Sequence, residues 1–287
     1  VVITRDILEL ERRAAELRWR LVEMMGMGKA HHFGGSLSSA DMIAALYFRQ
    51  MRYDPADPCW PDRDRFVMSK GHSVPAQYAA LAMLGVFSVE ELATLKRLGS
   101  RLQGHPVMGL TPGIEACTGA LGEGLSFANG LALAAKLTGR EYRVYCMVGD
   151  GELHEGQLWE AFMTAARRRL DNLVVLVDRN RLKAMDGADT AKSLDRLDER
   201  LATFGWAVRE INGHDMREIC AGLDWATAQE GPAVLIAHTV KGRGVSFMED
   251  RPGFHNAALS DGQWAQARAE LARALAEKQE QAHAETR

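Results

Sequence analysis

Residues 144–182 constrain the fold more than any other part of this chain. The apolar run Val144–Val148 ends in Gly149-Asp150-Gly151, a helix-forming stretch follows, and a second apolar run, Leu173–Val177, ends in Asp178-Arg179-Asn180. Strand, helix and parallel strand in this order set consecutive strand ends side by side on one edge of a sheet. Asp150 and Asn180 then meet at the carboxyl ends of neighbouring strands, where open α/β sheets bind their ligands.

Those two residue types suit a metal-bound diphosphate. Mg2+ takes hard oxygen ligands in near-octahedral geometry and is completed by water and phosphate, so a carboxylate and a neutral amide oxygen are a fitting pair. Gly149 and Gly151 let the backbone approach phosphate and permit a positive φ. The N–H groups opening the next helix add positive potential. Gly-Asp-Gly alone also fits an ordinary turn; Asn180 at the end of the next strand makes the pattern a site.

Composition sets the frame. A chain of 287 residues, 47% hydrophobic, can bury a full α/β core, and the expected layout is one domain over residues 1–260 and a helical tail over 261–287. A formal net charge of −3 leaves no basic footprint for nucleic acid or an anionic membrane, so binding of an anion must be local. Cys59, Cys117, Cys146 and Cys220 form no C-x-x-C pair, and buried free thiols in a reducing compartment are expected. No apolar run reaches the length of a membrane span and the N-terminal segment has no signal-peptide core, so a soluble cytoplasmic chain is expected.

Periodicity predicts helices over 7–24, 41–51, 74–85 and 89–98, strands over 65–69, 207–211 and 233–239, and an exposed, fraying helix over 261–282. The glycine- and proline-rich stretches between them read as loops. His32, His72, His105 and His255 lie in loops or beside glycine rather than on apolar helix faces, and loops carry sites disproportionately. Imidazole also titrates near working pH, which suits proton transfer. Lys70 and Lys241 precede glycine-rich turns, where a cation could approach phosphate.

Gly-Asp-Gly, a helix and the following Asn resemble the signature of thiamine diphosphate enzymes. The words Gly149-Asp-Gly-Glu-Leu-His-Glu-Gly-Gln157, His32-Phe-Gly-Gly-Ser-Leu-Ser-Ser-Ala-Asp41, Asp64-Arg-Phe-Val-Met-Ser-Lys-Gly-His72, Gln103-Gly-His-Pro106, Thr118-Gly-Ala-Leu-Gly-Glu-Gly124 and Lys241-Gly-Arg-Gly244 are similar to the transketolase family. The resemblance implies an α/β fold, a parallel sheet flanked by helices, forming the diphosphate-binding domain for thiamine diphosphate over 1–260. It implies transfer of a two-carbon ketol unit from a phosphorylated ketose to an aldose. By the same resemblance His32, His72, His105 and His255 are catalytic. His72, Gly119, Leu121, Gly149, Asp150, Gly151, Glu155, Asn180 and Lys241 contact the cofactor, and Asp150, Asn180 and the carbonyl of Leu182 hold Mg2+. Glu155 in the family also helps hold the subunit interface.

The family also needs a pyrimidine-binding domain, for which no residue after 260 provides. The expectation is therefore a split enzyme whose partner subunit carries the pyrimidine-binding and C-terminal domains, as an α2β2 assembly. Departures from the family pattern at His31, Lys183–Gly187 and Phe254-His255-Asn256-Ala257 leave open a branched, deoxy or sulfonated donor sugar. The competing readings are the alpha subunit of a 2-oxo acid dehydrogenase and a non-catalytic module that kept the fold.

Overall fold

Among the described residues five parallel strands form one sheet: β1 (Arg65–Met68), β2 (Val144–Gly149), β3 (Leu173–Arg179), β4 (Ala207–Asn212) and β5 (Ala233–His238), in the order β1-β2-β3-β5-β4. The computed structural model describes residues 6–26, 28–182 and 194–285. Its helices are α1 (Ile7–Met25), α2 (Phe33–Ser38), α3 (Ala40–Ala45), α4 (Val74–Met83), α5 (Gly124–Thr138), α6 (Gly156–Arg167), α7 (Leu197–Thr203), α8 (Met216–Thr227) and α9 (Asp261–Glu285). Among the described residues no helix is long and apolar enough to cross a membrane.

The central strands are apolar on both faces because both faces are covered. Tyr145, Met147, Val174, Leu176 and Leu235 point into one core, shared with α1, α3, α4 and α8. Their sequence neighbours Cys146, Val148, Val175, Val177 and Ile236 point into the other, against α5, α6 and α7. Alternation of side chains along each strand divides the apolar runs between two layers.

Most predicted elements form, and the exceptions have local causes. Residues 41–51 are helical, but the hydrogen bonding changes to a π-helical turn over Leu46–Gln50. Residues 89–98 make only a short 3-10 turn, Val89–Thr94: Leu92 and Leu95 are buried while Leu98 lies fully in solvent, too narrow an apolar face to sustain a helix. Cys146 and Cys220 are buried, but Cys59 and Cys117 are exposed, correcting the expectation of four buried thiols; both lie in irregular chain that no layer covers. All four are free. The last helix is not simply exposed: Ala267 and Leu271 are buried, and α9 is tied to α1 by Trp264 Nε1 to the Val22 carbonyl and by the ion pairs Arg268–Glu23 and Lys278–Glu11.

Candidate functional site

The register pairs Gly149 of β2 with Asp178 of β3, which brings Asp150 and the Asn180 turn together at one sheet edge. The Asp150 carboxylate accepts hydrogen bonds from the Gly151 amide at 2.7 Å and the Arg181 amide at 2.5 Å. Asn180 Oδ1 accepts from the Leu182 amide at 3.2 Å, and the Leu182 carbonyl accepts from Lys241 Nζ at 2.9 Å. Asp150 is 6% exposed. Burial, and then the charge of Asp178, push its carboxyl up to about 6. Neither Gly149 nor Gly151 has a positive φ; the left-handed residue of the site is Arg181, at φ 60°. A non-glycine residue there is strained, and the hydrogen bond its backbone N–H donates to Asp150 helps to hold it.

Lys70 is already engaged. It is buried, paired with Asp178, and donates to the Gly35 carbonyl at 2.9 Å and Ser39 Oγ at 2.6 Å. Asp178 also accepts from Ser38 Oγ at 2.7 Å and from Thr239 Oγ1. Burial alone would raise its carboxyl, but the Lys70 ammonium and these hydrogen bonds hold it below the usual range. Sequence reasoning gives Asp178 no role. The available signal is an acid at the end of an apolar strand, two residues before Asn180.

The four predicted histidines converge. The His32 ring centroid lies 5.0 Å from His72, 5.3 Å from His255 and 6.1 Å from His105, and His72 lies 5.1 Å from His255. His32 precedes α2 and His72 lies in the turn between β1 and α4. His255 arrives from the chain before α9 because His31 and Ala257 form an antiparallel bridge, with amide-to-carbonyl distances of 3.0 and 3.1 Å. Burial, followed by neighbouring positive charge, lowers His32 and His255 to about 4 and takes His72 well below its usual range. His105 is lowered for the same reasons. The cluster is neutral at neutral pH, so its rings donate and accept hydrogen bonds rather than carry charge. Lys241 Nζ reaches His255 Nδ1 at 3.1 Å, and burial lowers its ammonium to about 8.

Gly119 and Leu121 lie exposed on the loop before α5. Glu152, unrecognised in the sequence, fixes that loop: its buried carboxylate accepts from Ser69 Oγ at 2.6 Å, the Gly122 amide at 2.9 Å and the Gly149 amide at 3.1 Å. Burial raises its carboxyl. The loop also packs on the end of β1: a Cβ at Gly71 would lie 2.0 Å from the Thr118 carbonyl oxygen. Glu155 is exposed at the start of α6 and makes no side-chain cap. Lys183–Gly187 lies outside the described residues.

These donors fit a hard cation carrying phosphate. Asp150 is a buried carboxylate destabilised by a second acid, Asn180 adds an amide oxygen, and the Leu182 carbonyl already faces a cationic group. Among the described residues no group of three or more His, Cys, Asp or Glu could hold a metal ion, so the fit rests on amide and backbone oxygens beside one carboxylate. A parallel sheet presenting these groups, joined through Lys241 to the neutral imidazole of His255, defines a cofactor-diphosphate-binding domain.

The chain belongs to the transketolase family, since the family model for "Transketolase, thiamine diphosphate binding domain" matches residues 11–280. It is 42% identical over 265 residues to the 6-deoxy-6-sulfo-D-fructose transketolase subunit SqwG of Clostridium sp. (strain MSTE9), covering 92% of this chain and 96% of that one. It is 43% identical over 261 residues to an apulose-4-phosphate transketolase subunit of Phocaeicola vulgatus, covering 90% and 92%. The solved transketolase of Campylobacter jejuni superposes with a TM-score of 0.85 at 29% identity, covering 92% of this chain and 43% of that one. The chain thus spans less than half the length of that transketolase. The expected fold, a parallel sheet flanked by helices, is the observed one.

Proposed function

We propose that this chain is the diphosphate-binding subunit of a split transketolase, working with a separate polypeptide that carries the pyrimidine-binding and C-terminal domains, as an α2β2 assembly in the cytoplasm. The observation that carries the reading is the link made by Lys241, which joins the Leu182 carbonyl, beside Asp150 and Asn180, to His255 of the four-histidine cluster. Relatives that align along nearly their whole length are themselves named as subunits. Four free thiols suit a reducing compartment.

Asp150, Asn180 and the Leu182 carbonyl hold Mg2+, and the backbone at Gly149 and Gly151 approaches the diphosphate. Lys241 closes the site from the β5 side, and Gly119 and Leu121 lie beside the cofactor. Glu155, exposed, faces the partner polypeptide. Thiamine diphosphate, when bound, supplies the nucleophilic carbon and electron sink for cleavage of a ketose C–C bond. The chain's part is position and proton traffic. Neutral His32, His72, His105 and His255 accept hydrogen bonds from sugar hydroxyls and take up or return the proton as a two-carbon ketol unit leaves one sugar and joins an aldose.

The donor is an unusual ketose, sulfonated or branched. Two relatives are named for 6-deoxy-6-sulfo-D-fructose and for apulose 4-phosphate, and Phe254 and Asn256 alter the family pattern around His255. Co-expression with the partner, followed by magnesium-dependent thiamine diphosphate binding and a panel of donor ketoses, tests the reading. Full turnover by the purified chain alone, or oxidant-dependent decarboxylation of a 2-oxo acid instead of ketol transfer, refutes it.

A further inference from the structure

Outside the site, His214 makes two hydrogen bonds whose directions fix its chemistry. It lies between β4 and α8, almost buried, with Nδ1 2.7 Å from Asp41 Oδ2 and Nε2 accepting from the Val240 amide at 2.8 Å. An amide nitrogen can only donate, so Nε2 presents its lone pair and the ring proton sits on Nδ1, donated to the carboxylate. Asp41 on α3 is held in turn by Arg18 of α1: Nη1 donates to Oδ1 at 3.0 Å, and Nη2 bonds Oδ2. A chain of polar contacts therefore runs from α1 through α3 to the backbone just past β5.

That backbone carries Lys241. Around it Thr239 donates to the Arg179 carbonyl at 3.2 Å and Gly242 to the Gly34 carbonyl at 3.0 Å. Gly213, beside His214, has room for no Cβ, because the position lies 2.5 Å from Thr239 Cγ2. The Val240 amide is thus held from the β4 side by an imidazole, one residue before the lysine whose ammonium reaches the Leu182 carbonyl and His255.

We propose that His214, locked as the Nδ1–H tautomer by Asp41, is a positioning residue for the cofactor site: by accepting from the Val240 amide it sets the path of residues 239–242 and so the place of the Lys241 ammonium. It touches neither cofactor nor substrate. The proposal rests on the thiamine diphosphate reading for its consequence, and on this chain's own contacts for its geometry.

Two substitutions separate the ring's bonds. Gln at 214 offers an oxygen near the Nε2 position and keeps an acceptor for Val240; Asn offers a donor near Nδ1 and keeps only the Asp41 contact. For His214→Asn, hydrogen exchange at 239–242 is expected to quicken and the Kd for thiamine diphosphate with Mg2+, measured by calorimetry on the assembled complex, to rise about tenfold, the scale of a lost hydrogen bond to a charged arrangement. His214→Gln is expected to restore both. His214→Asn with unchanged exchange and unchanged Kd overturns the proposal, as does a well-folded His214→Gln that fails as badly as Asn. Ring 15N shifts of His214 in the unsubstituted chain supply a check that needs no variant: the Nδ1–H form is expected, and the Nε2–H form overturns the proposal. If the unsubstituted complex binds no thiamine diphosphate, the functional reading falls with it; if it binds and the Asn variant binds equally, the positioning role falls alone.

Discussion

Removing Lys70 tests the electrostatics beneath the site. Asp178 is fully buried and its one ion-pair partner among the described residues is Lys70. In Lys70→Met an apolar chain of similar length fills the space but leaves the carboxylate without its cation. Breaking a buried pair in this way costs about 3–5 kcal/mol. Asp178 keeps the Ser38, Thr239 and Asn180 hydrogen bonds, so the lower part of that range, about 3 kcal/mol, is expected at pH 7. The loss must also depend on pH. Without Lys70 the folded carboxyl titrates above its unfolded value, so the folded state binds a proton that the unfolded chain does not, and the deficit against wild type shrinks as pH falls toward 5. Urea unfolding of both proteins at pH 7 and pH 5 measures it. A deficit under 1 kcal/mol, or one equal at both pH values, would refute the account of Lys70 as Asp178's counter-charge.

Asp150→Asn is expected to weaken magnesium-dependent thiamine diphosphate binding by at least about 100-fold while the fold persists, since changes outside the metal's own ligands already cost 10–100-fold; calorimetry reads it. His31, His32 and His255 are each lowered to about 4 by burial and then by neighbouring charge, so the unfolded chain binds protons that the folded chain refuses, and the urea midpoint should fall as pH drops from about 6.5 toward 4. Asp150, raised to about 6, pulls the other way over part of that range, and replacing His32 and His255 by Gln should flatten the slope. Gly71→Ala places a Cβ 2.0 Å from a backbone oxygen and should cost more than about 3 kcal/mol or abolish soluble expression. Gly130→Ala, in the body of α5 with open space around it, should instead add about 1 kcal/mol, a contrast read by thermal melts.

The sheet edge and its ligand groups are legible in the sequence because each depends on local pattern. An apolar run ending in glycine or a polar residue marks where a strand gives out, and two such runs joined by a helix place Asp150 near Asn180. The histidines are legible as loop residues, though the closeness of His255 to His32 comes from a bridge between His31 and Ala257 that no local pattern encodes. Glu152, Asp178 and His214 stay hidden for a shared reason. Each has its meaning from donors far away in the chain, Ser69 and Gly122 for the first, Lys70 and Ser38 for the second, Val240 for the third. A buried acid looks in sequence like any surface acid until the groups that surround it are known. Lys70 misleads for the same reason: its position suggests a phosphate, and its partner sits across the sheet.

The all-parallel sheet also bears on how the chain reaches this state. Arg65 of β1 pairs with Val144 of β2, and Ala233 of β5 pairs with Val174 of β3 on one side and Ala207 of β4 on the other. No strand can zip onto its neighbour through a tight turn; every ladder waits for a long segment to close first, and that entropy is lost before the pairing compensates for it. Assembly should be slow, with apolar strand edges exposed while it proceeds, and concentration-dependent loss during refolding would be the visible sign. The architecture that gathers the ligand groups at one rim therefore makes the newly made chain aggregation-prone until its last strand docks.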